Sequence, residues 1–228
     1  PDEKTGVWTR GTEKFILNKE EGPLFFHLVS KDRAGNLSRE AACVRILIDR
    51  EAAPPEMSSP THPDQDRFYS VRDVQITLAP PQDLSGVEGY YYCVDTDPKT
   101  VPNPDLAQVT RATSEPRISL HSLEEGVWYC HVVTRDKAGN VGRRAAHYRI
   151  QIDTSVGPVR CRCLTEPEPS RWIHASEVQI EWEGSDEVSG IAGYYYIFDE
   201  EASTVPDPHR GTYTEKTRTT FEVRDDGI

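Results

Sequence analysis

Histidines, cysteines and carboxylates are the side chains here best equipped for chemistry, and few of them fall into a recognised spacing. His131 and His147 flank Asp136-Lys-Ala-Gly-Asn140, a segment with the composition of a tight turn. Closing that segment as a hairpin sets the two imidazoles opposite one another at about 5 Å, a pair suited to zinc or copper. Such a metal site wants three or four ligands and the sequence offers no third, so the competing reading is an exposed polar face. The same geometry sets His27 opposite Cys43. Cys161 and Cys163, spaced i and i+2, share one side of an extended segment. They offer a metal or partner thiol site or, failing that, two unpaired strand cysteines. Carboxylates crowd Asp64, Asp66 and Asp73, and recur at Asp83 and in Asp95-Thr-Asp97. Oxygen clusters of this kind suit calcium, but none has the spacing of an EF-hand loop, and solvated loop acids have the same composition. The sequence contains no Gly-x-Ser-x-Gly elbow, His-Glu-x-x-His, phosphate loop or dinucleotide fingerprint.

The elements that would position these residues follow from an internal repeat. Val74-Gln-Ile76 returns as Val178-Gln-Ile180, Ser85-Gly86 as Ser189-Gly190, Gly89-Tyr-Tyr-Tyr92 as Gly193-Tyr-Tyr-Tyr196, and Thr100-Val-Pro102 as Thr204-Val-Pro206. Asp32-Arg-Ala-Gly-Asn36 matches Asp136-Lys-Ala-Gly-Asn140, and Ile48-Asp49 matches Ile152-Asp153. Every pair lies 104 positions apart. The two sets are disjoint halves of one unit, and only the middle copy contains both. This predicts the end of a module over residues 1–53, a complete module over 54–154 and the beginning of a third over 155–228. Asp225-Asp-Gly-Ile228 then lines up with Glu124-Glu-Gly-Val127 after a three-residue deletion. The sequence is expected to be a window on a longer array, or to have its missing strands supplied by another chain. Arg50-Glu-Ala-Ala-Pro-Pro-Glu56 and Thr154-Ser-Val-Gly-Pro158 are the joints, where proline makes short and fairly stiff connectors.

Within the middle copy, apolar and polar residues alternate with period two, the pattern of half-buried strands. Val74, Ile76 and Leu78 face inward, as do Val178, Ile180 and Trp182 in the third copy. Tyr90, Tyr92 and Val94 point in, and Tyr91 and Cys93 point out. Ile118 and Leu120 form a further strand. Trp128, Cys130 and Val132 face the core, matching Leu24, Phe26 and Leu28, and the returning strand buries Tyr148, Ile150 and Ile152. Asp32, Gly35 and Asn36, like Asp136, Gly139 and Asn140, build the turns: Asp accepts backbone amides and Gly takes a positive φ. Tyr91 and Tyr129 then lie on the outer face of one sheet beside His131 and Arg149, with Tyr195 and Phe25 equivalent in the other copies. Rings so placed stack on sugars or anchor a protein surface; alternatively they pair across strands and stabilise the sheet. Cys93 and Cys130 fall on neighbouring strands but opposite faces, which argues against a disulfide.

Gly126-Val-Trp-Tyr-Cys-His-Val-Val-Thr-Arg-Asp-Lys-Ala-Gly-Asn140 resembles the ending of immunoglobulin-like and fibronectin-type-III-like modules found in tandem in large bacterial envelope and secreted proteins. Ser59-Pro-Thr-His-Pro-Asp64, Ser85-Gly-Val-Glu-Gly-Tyr-Tyr-Tyr92 and the Thr-Val-Pro repeats resemble earlier blocks of the same modules. The chain departs from that pattern at Cys130, where an aromatic residue is usual and where the first copy has Phe26. The resemblance implies an all-β fold of tandem β-sandwiches, one complete and two partial. It further implies a location outside the cytoplasm, at the cell surface, secreted or periplasmic, and a role as spacer, adhesion element or scaffold. Two alternatives accompany it: a carbohydrate-binding accessory module of a secreted enzyme, and a subunit of an envelope assembly completed by strand complementation.

Composition narrows the partners. Lys and Arg total 26 against 38 Asp and Glu, a net charge of −12. That balance argues against a broad basic face for nucleic acid or an anionic membrane. Mean hydropathy is −0.64, and no apolar run approaches the roughly 18 residues of a membrane span. The expected partners are a protein or glycan surface and neighbouring modules or subunits, with no membrane insertion by this segment. We expect no enzymatic activity and no cofactor, calcium at a module joint being the one ion the acidic residues leave room for.

Overall fold

The structure is a computed structural model in which residues 20–106, 111–168 and 170–222 are described. The expected match of Asp225–Ile228 to the middle copy therefore lies outside the described residues. Among those residues there is no helix, and fourteen antiparallel strands account for all regular structure. The fold is all-β.

A hairpin comes first, β1 (Gly22–Leu28) and β2 (Ala42–Ile48), with Phe26 opposite Val44 and His27 opposite Cys43. Seven strands follow between Glu56 and Ile152. They are β3 (Glu56–Ser58), β4 (Val74–Ala79), β5 (Val87–Asp95), β6 (Arg111–Thr113), β7 (Arg117–Leu120), β8 (Gly126–Asp136) and β9 (Ala146–Ile152). They form a three-stranded sheet in the order β3-β4-β7 and a four-stranded sheet in the order β6-β5-β8-β9. Three strands facing four, with the chain switching sheets after β4, β6 and β7, is the arrangement of a fibronectin-type-III-like sandwich.

Alternation explains why these segments pair as they do. Val74, Ile76 and Leu78 of β4 and Ile118 and Leu120 of β7 are buried, as are Tyr90 of β5, Cys130 and Val132 of β8, and Tyr148, Ile150 and Ile152 of β9. Burying a side chain the size of Val or Ile contributes about 1.5–3 kcal/mol, so slipping any strand by one residue would turn several such contributions into exposed surface. The register is fixed accordingly, with Val74 opposite Leu120 and Ile76 opposite Ile118. Tyr92 and Val94 are half-buried and Trp128 likewise.

The last strands are β10 (Arg160–Cys163), β11 (Glu177–Glu183), β12 (Tyr194–Tyr196), β13 (Thr212–Thr214) and β14 (Arg218–Glu222), in sheets ordered β10-β11-β14 and β12-β13. Their registers reproduce those of the middle copy. Met57 opposite Leu78 becomes Cys161 opposite Trp182, and Val74 opposite Leu120 becomes Val178 opposite Phe221. Tyr90 opposite Thr113 becomes Tyr194 opposite Thr214. Trp182 is buried, as the alternation requires, and meets Tyr194 edge-on and Tyr196 at a tilt.

Two compact units divide the described chain. One holds the β1–β2 hairpin and most of β3 to β9; the other holds β10 to β14 with residues 66–73 and 121–126. In the hairpin the expected inward residues are not covered. Phe26 and Leu28 are exposed although Cys130 and Val132, at the same positions of the repeat, are buried. Alternation puts them on one face, but burial needs a second layer, and no described residue supplies it.

Candidate functional site

The outer face of the four-stranded sheet gathers most of the singled-out side chains. The β5–β8 register sets Tyr91 opposite Val133, Cys93 opposite His131 and Asp95 opposite Tyr129, so Tyr91, Cys93, Asp95, Tyr129 and His131 share this face. At one end Arg135 is fixed twice: its Nε lies 2.8 Å from Glu88 Oε2 and its Nη1 donates to Tyr91 Oη at 3.1 Å. The Tyr91 hydrogen bond, and then Glu88, hold the guanidinium above its ordinary value. At the centre, His131 Nε2 lies 3.3 Å from Asp95 Oδ1 and its Nδ1 lies 2.6 Å from His147 Nδ1. The Tyr129 ring stacks along His131 at 6.2 Å, and His147 meets it edge-on at 4.9 Å.

This corrects the sequence reading of the face. His131 was expected on an exposed polar surface and is 0% exposed. Alternation correctly assigns it to the outer side of β8, but β8 is a central strand and its outer side is roofed by Tyr129, His147 and Asp95. Arg149 is half-buried and tied down, its backbone N–H donating to Gln65 Oε1 at 2.9 Å and its Nε to the Gln65 carbonyl at 2.8 Å. Tyr91 and Tyr129 are half-buried and engaged with Arg135 and His131. Tyr91 is thus held across strands by Arg135, whereas Tyr129 stacks on His131 along its own strand.

As a metal pair, His131 and His147 do not fit in this geometry. Two nitrogens on one tetrahedral zinc stand roughly 3.3 Å apart, given Zn–N distances near 2 Å. At 2.6 Å the Nδ1 atoms instead lie within hydrogen-bond distance of one another. Asp95, His131 and His147 thus form a hydrogen-bonded relay. Burial, and then the neighbouring His131, hold His147 below the ordinary histidine value.

Carboxylates converge elsewhere than expected. Asp64, Asp66 and Asp73 form no converging group of three; Asp73 instead accepts from the Ser122 N–H at 2.9 Å. The group that does form is Asp49, Asp83 and Asp136, whose oxygens lie within 4.8 Å of one another. It joins the end of β2, the β4–β5 loop and the end of β8. Asp83 Oδ1 accepts from Ser85 N and Oγ and from Gly86 N, and Asp49 Oδ2 also accepts from Ser85 N at 2.9 Å. Burial is the largest single influence on Asp49 and acts upward, but the Ser85 and Glu51 hydrogen bonds together hold its carboxyl below the ordinary value. An all-oxygen set suits a hard cation such as calcium. These oxygens already serve turn caps, and the cluster by itself assigns no metal.

The turn residues behave as the sequence predicts. Asp136, fully buried, accepts from Asn140 N and Nδ2, both at 2.7 Å, and Asp32 accepts from Asn36 N at 2.8 Å and Nδ2 at 2.9 Å. Gly139 and Gly35 sit at φ 92° and 96°, where a side chain would strain the backbone.

All five cysteines are free thiols. Cys130 pairs with Val94 and not with Cys93, which puts the two sulfurs on opposite faces as alternation requires. Burial pushes Cys93 up to about 11 with help from Asp95, and Cys130 up to about 12 with help from Cys93. Cys163 has a structural task that was not foreseen. Its Sγ accepts from Glu166 N at 3.4 Å, as Ser59 Oγ accepts from His62 N at 2.9 Å in the middle copy. Thr165 and Thr61 likewise accept from Gln179 N and Gln75 N. The 104-residue offset carries the signal that would have found this.

No known family profile matches the chain, and no curated protein matches it. Among solved structures it is similar to the chicken CNTN1 FN1-FN3 domains, at 15% identity over 88% of this chain and 65% of that one, with a TM-score of 0.31. The chain thus spans 65% of the length of the solved chain it matches.

Proposed function

We propose that this chain is a non-catalytic structural and interaction segment, a run of fibronectin-type-III-like modules serving as spacer, adhesion element or scaffold outside the cytoplasm. Its parts are the end of one module at 1–53, a complete module at 54–154 and the beginning of another at 155–228. The observation that carries this reading is the recurrence of strand register between copies, down to the Ser59 and Cys163 caps. A sequence that reproduces registers and caps while varying its outer face is maintaining a scaffold. The joints support it. At the second, Glu125 accepts from Thr154 N at 3.1 Å and from Ser155 Oγ at 3.2 Å, which restrains the connector. The role needs no cofactor, and its partners are protein surfaces and neighbouring modules.

Pulling the chain from its ends in a force-extension experiment tests the reading. A complete module of about 100 residues should unfold in one step that releases about 30 nm of chain, at roughly 3.5 Å per residue less its folded length. Gradual extension with no discrete step would refute a load-bearing module.

A further inference from the structure

The third copy keeps the frame of the middle one but changes the lining of one edge, and we propose that this edge is a binding site for a sugar that bears a carboxylate. The cavity lies within the second compact unit and encloses about 390 Å³, with Tyr196, Tyr213, Thr214, Lys216, Arg218 and Thr219 in its wall. That volume is at the small end of ligand pockets and suits a mono- or disaccharide. The site goes beyond the scaffold reading, which gives this edge no task.

The frame is the same down to its hydrogen bonds. Ile76 opposite Ile118 becomes Ile180 opposite Thr219, and Tyr91 opposite Ala112 becomes Tyr195 opposite Tyr213. Thr113 Oγ1 accepts from Glu115 N at 3.0 Å, as Thr214 Oγ1 does from Lys216 N at 3.1 Å. Leu78 N donates to the Pro116 carbonyl at 2.8 Å, as Trp182 N does to the Thr217 carbonyl at 2.9 Å. On that shared frame the third copy carries Tyr213 in place of Ala112, Lys216 in place of Glu115 and Thr219 in place of Ile118. The three differences bring a ring, a cation and a hydroxyl to the cavity. Ile118 is 2% exposed, and a scaffold gains nothing from a hydroxyl at such a position.

A whole module leaves this edge uncovered. In the middle copy β6 and β7, the counterparts of β13 and β14, are the outermost strands of their sheets. The chain leaving β7 departs at the opposite end of β4, where Leu123 N donates to the Arg72 carbonyl at 3.1 Å. The lining holds two cations and no carboxylate, in a chain of net charge −12. Glu181, opposite Arg218, is already held by Arg162 at 2.6 Å, and among the described residues no ion pair engages Lys216. Lys216 and Arg218 therefore offer charged donors to an incoming carboxylate, and the hydroxyls of Thr214, Thr219 and Tyr196 offer hydrogen bonds to those of a sugar. Tyr213 supplies a fixed ring wall, its Oη donating to the Ala192 carbonyl at 3.0 Å and its ring packed 5.4 Å from that of Tyr195. A bare anion would leave the hydroxyls and the ring unused, and a neutral sugar would leave the cations unpaired. A sugar acid uses all three.

The test is ligand-observed NMR on the 228-residue chain, by saturation transfer, with sodium galacturonate, galactose, acetate and sulfate as separate probes. Galacturonate should bind in the millimolar range, at least about tenfold more tightly than any of the other three. Lys216→Glu and Thr219→Ile each install the residue that the middle copy carries on the same frame, so both variants should fold. Each should weaken galacturonate binding at least about tenfold, the first by reversing a charge and the second by removing a hydroxyl and filling the cavity. The unfolding step of the middle module is indifferent to these results, which separates this inference from the scaffold reading. Undetectable galacturonate binding would overturn the inference, as would binding no tighter than that of acetate, sulfate or galactose, or binding unchanged in either variant.

Discussion

The Asp95–His131–His147 relay makes a quantitative claim about pH. The Nδ1 atoms of His131 and His147 lie 2.6 Å apart, and burial, then the neighbouring His131, hold His147 below the ordinary histidine value. The unfolded chain lacks these neighbours and charges His147 below about pH 6.5. A histidine held below its ordinary value in the fold takes up fewer protons there than in the unfolded chain. Its contribution is therefore complete above pH 6.5 and lost as pH falls below it. Withholding one proton at pH 5 costs at most about 2 kcal/mol, and solvent at exposed His147 screens this to about 1 kcal/mol. The check is a denaturant titration at pH 7.5 and pH 5.0 on the wild type and on His147→Gln, whose amide can still hydrogen-bond to His131 but does not titrate. The variant should lose about 1 kcal/mol of the pH dependence. Carboxylates held low, such as Glu125 by Thr154, release their stabilisation only below about pH 4.5 and so leave this window clear. An unchanged pH dependence in His147→Gln would refute the lowered His147.

Three further outcomes follow from burial and hydrogen bonding. Asp136→Ala should cost about 2–3 kcal/mol in denaturant midpoint, because it strands the Asn140 donors in a buried site, while exposed Asp32→Ala costs clearly less; equal losses would contradict the assigned burial. Under native conditions a thiol reagent should modify Cys43 and Cys161 quickly and Cys93 and Cys130 only after denaturant is added, and rapid labelling of Cys130 would be inconsistent with its place in the core. Ser59→Ala should cost about 2 kcal/mol by orphaning the His62 amide, and Ser59→Cys should cost less because the third copy already uses cysteine there; the reverse order would undo the equivalence.

Strand faces were legible in the sequence because period-two alternation and a 104-residue repeat reinforce one another. Val74, Ile76 and Leu78 point inward for the same reason in sequence and in space. The turn at Asp136–Asn140 was legible because Asp and Gly are chosen there by local backbone needs. Coverage was not legible. Alternation says which side of β8 His131 occupies, but whether that side is wet depends on Tyr129 and on His147, sixteen residues away across a hairpin. The same gap explains Phe26 and Leu28, inward by pattern and exposed because no described residue forms a second layer over them. Asp49, Asp83 and Asp136 escaped notice as a group because each sits in a different block of the repeat, and only the fold brings an Asp closing one copy against two loops of the next.

The central claim is that β3 to β9 form a sandwich that covers β8 and β9, while no described residue covers the equivalent face of β1 and β2. Hydrogen exchange tests it most directly. The amides of β4, β5, β8 and β9 should exchange only on global opening of the sandwich, and those of β1 and β2, at equivalent positions of the repeat, should exchange far faster. Equal protection of the two hairpins, or fast exchange along β8, would contradict the account.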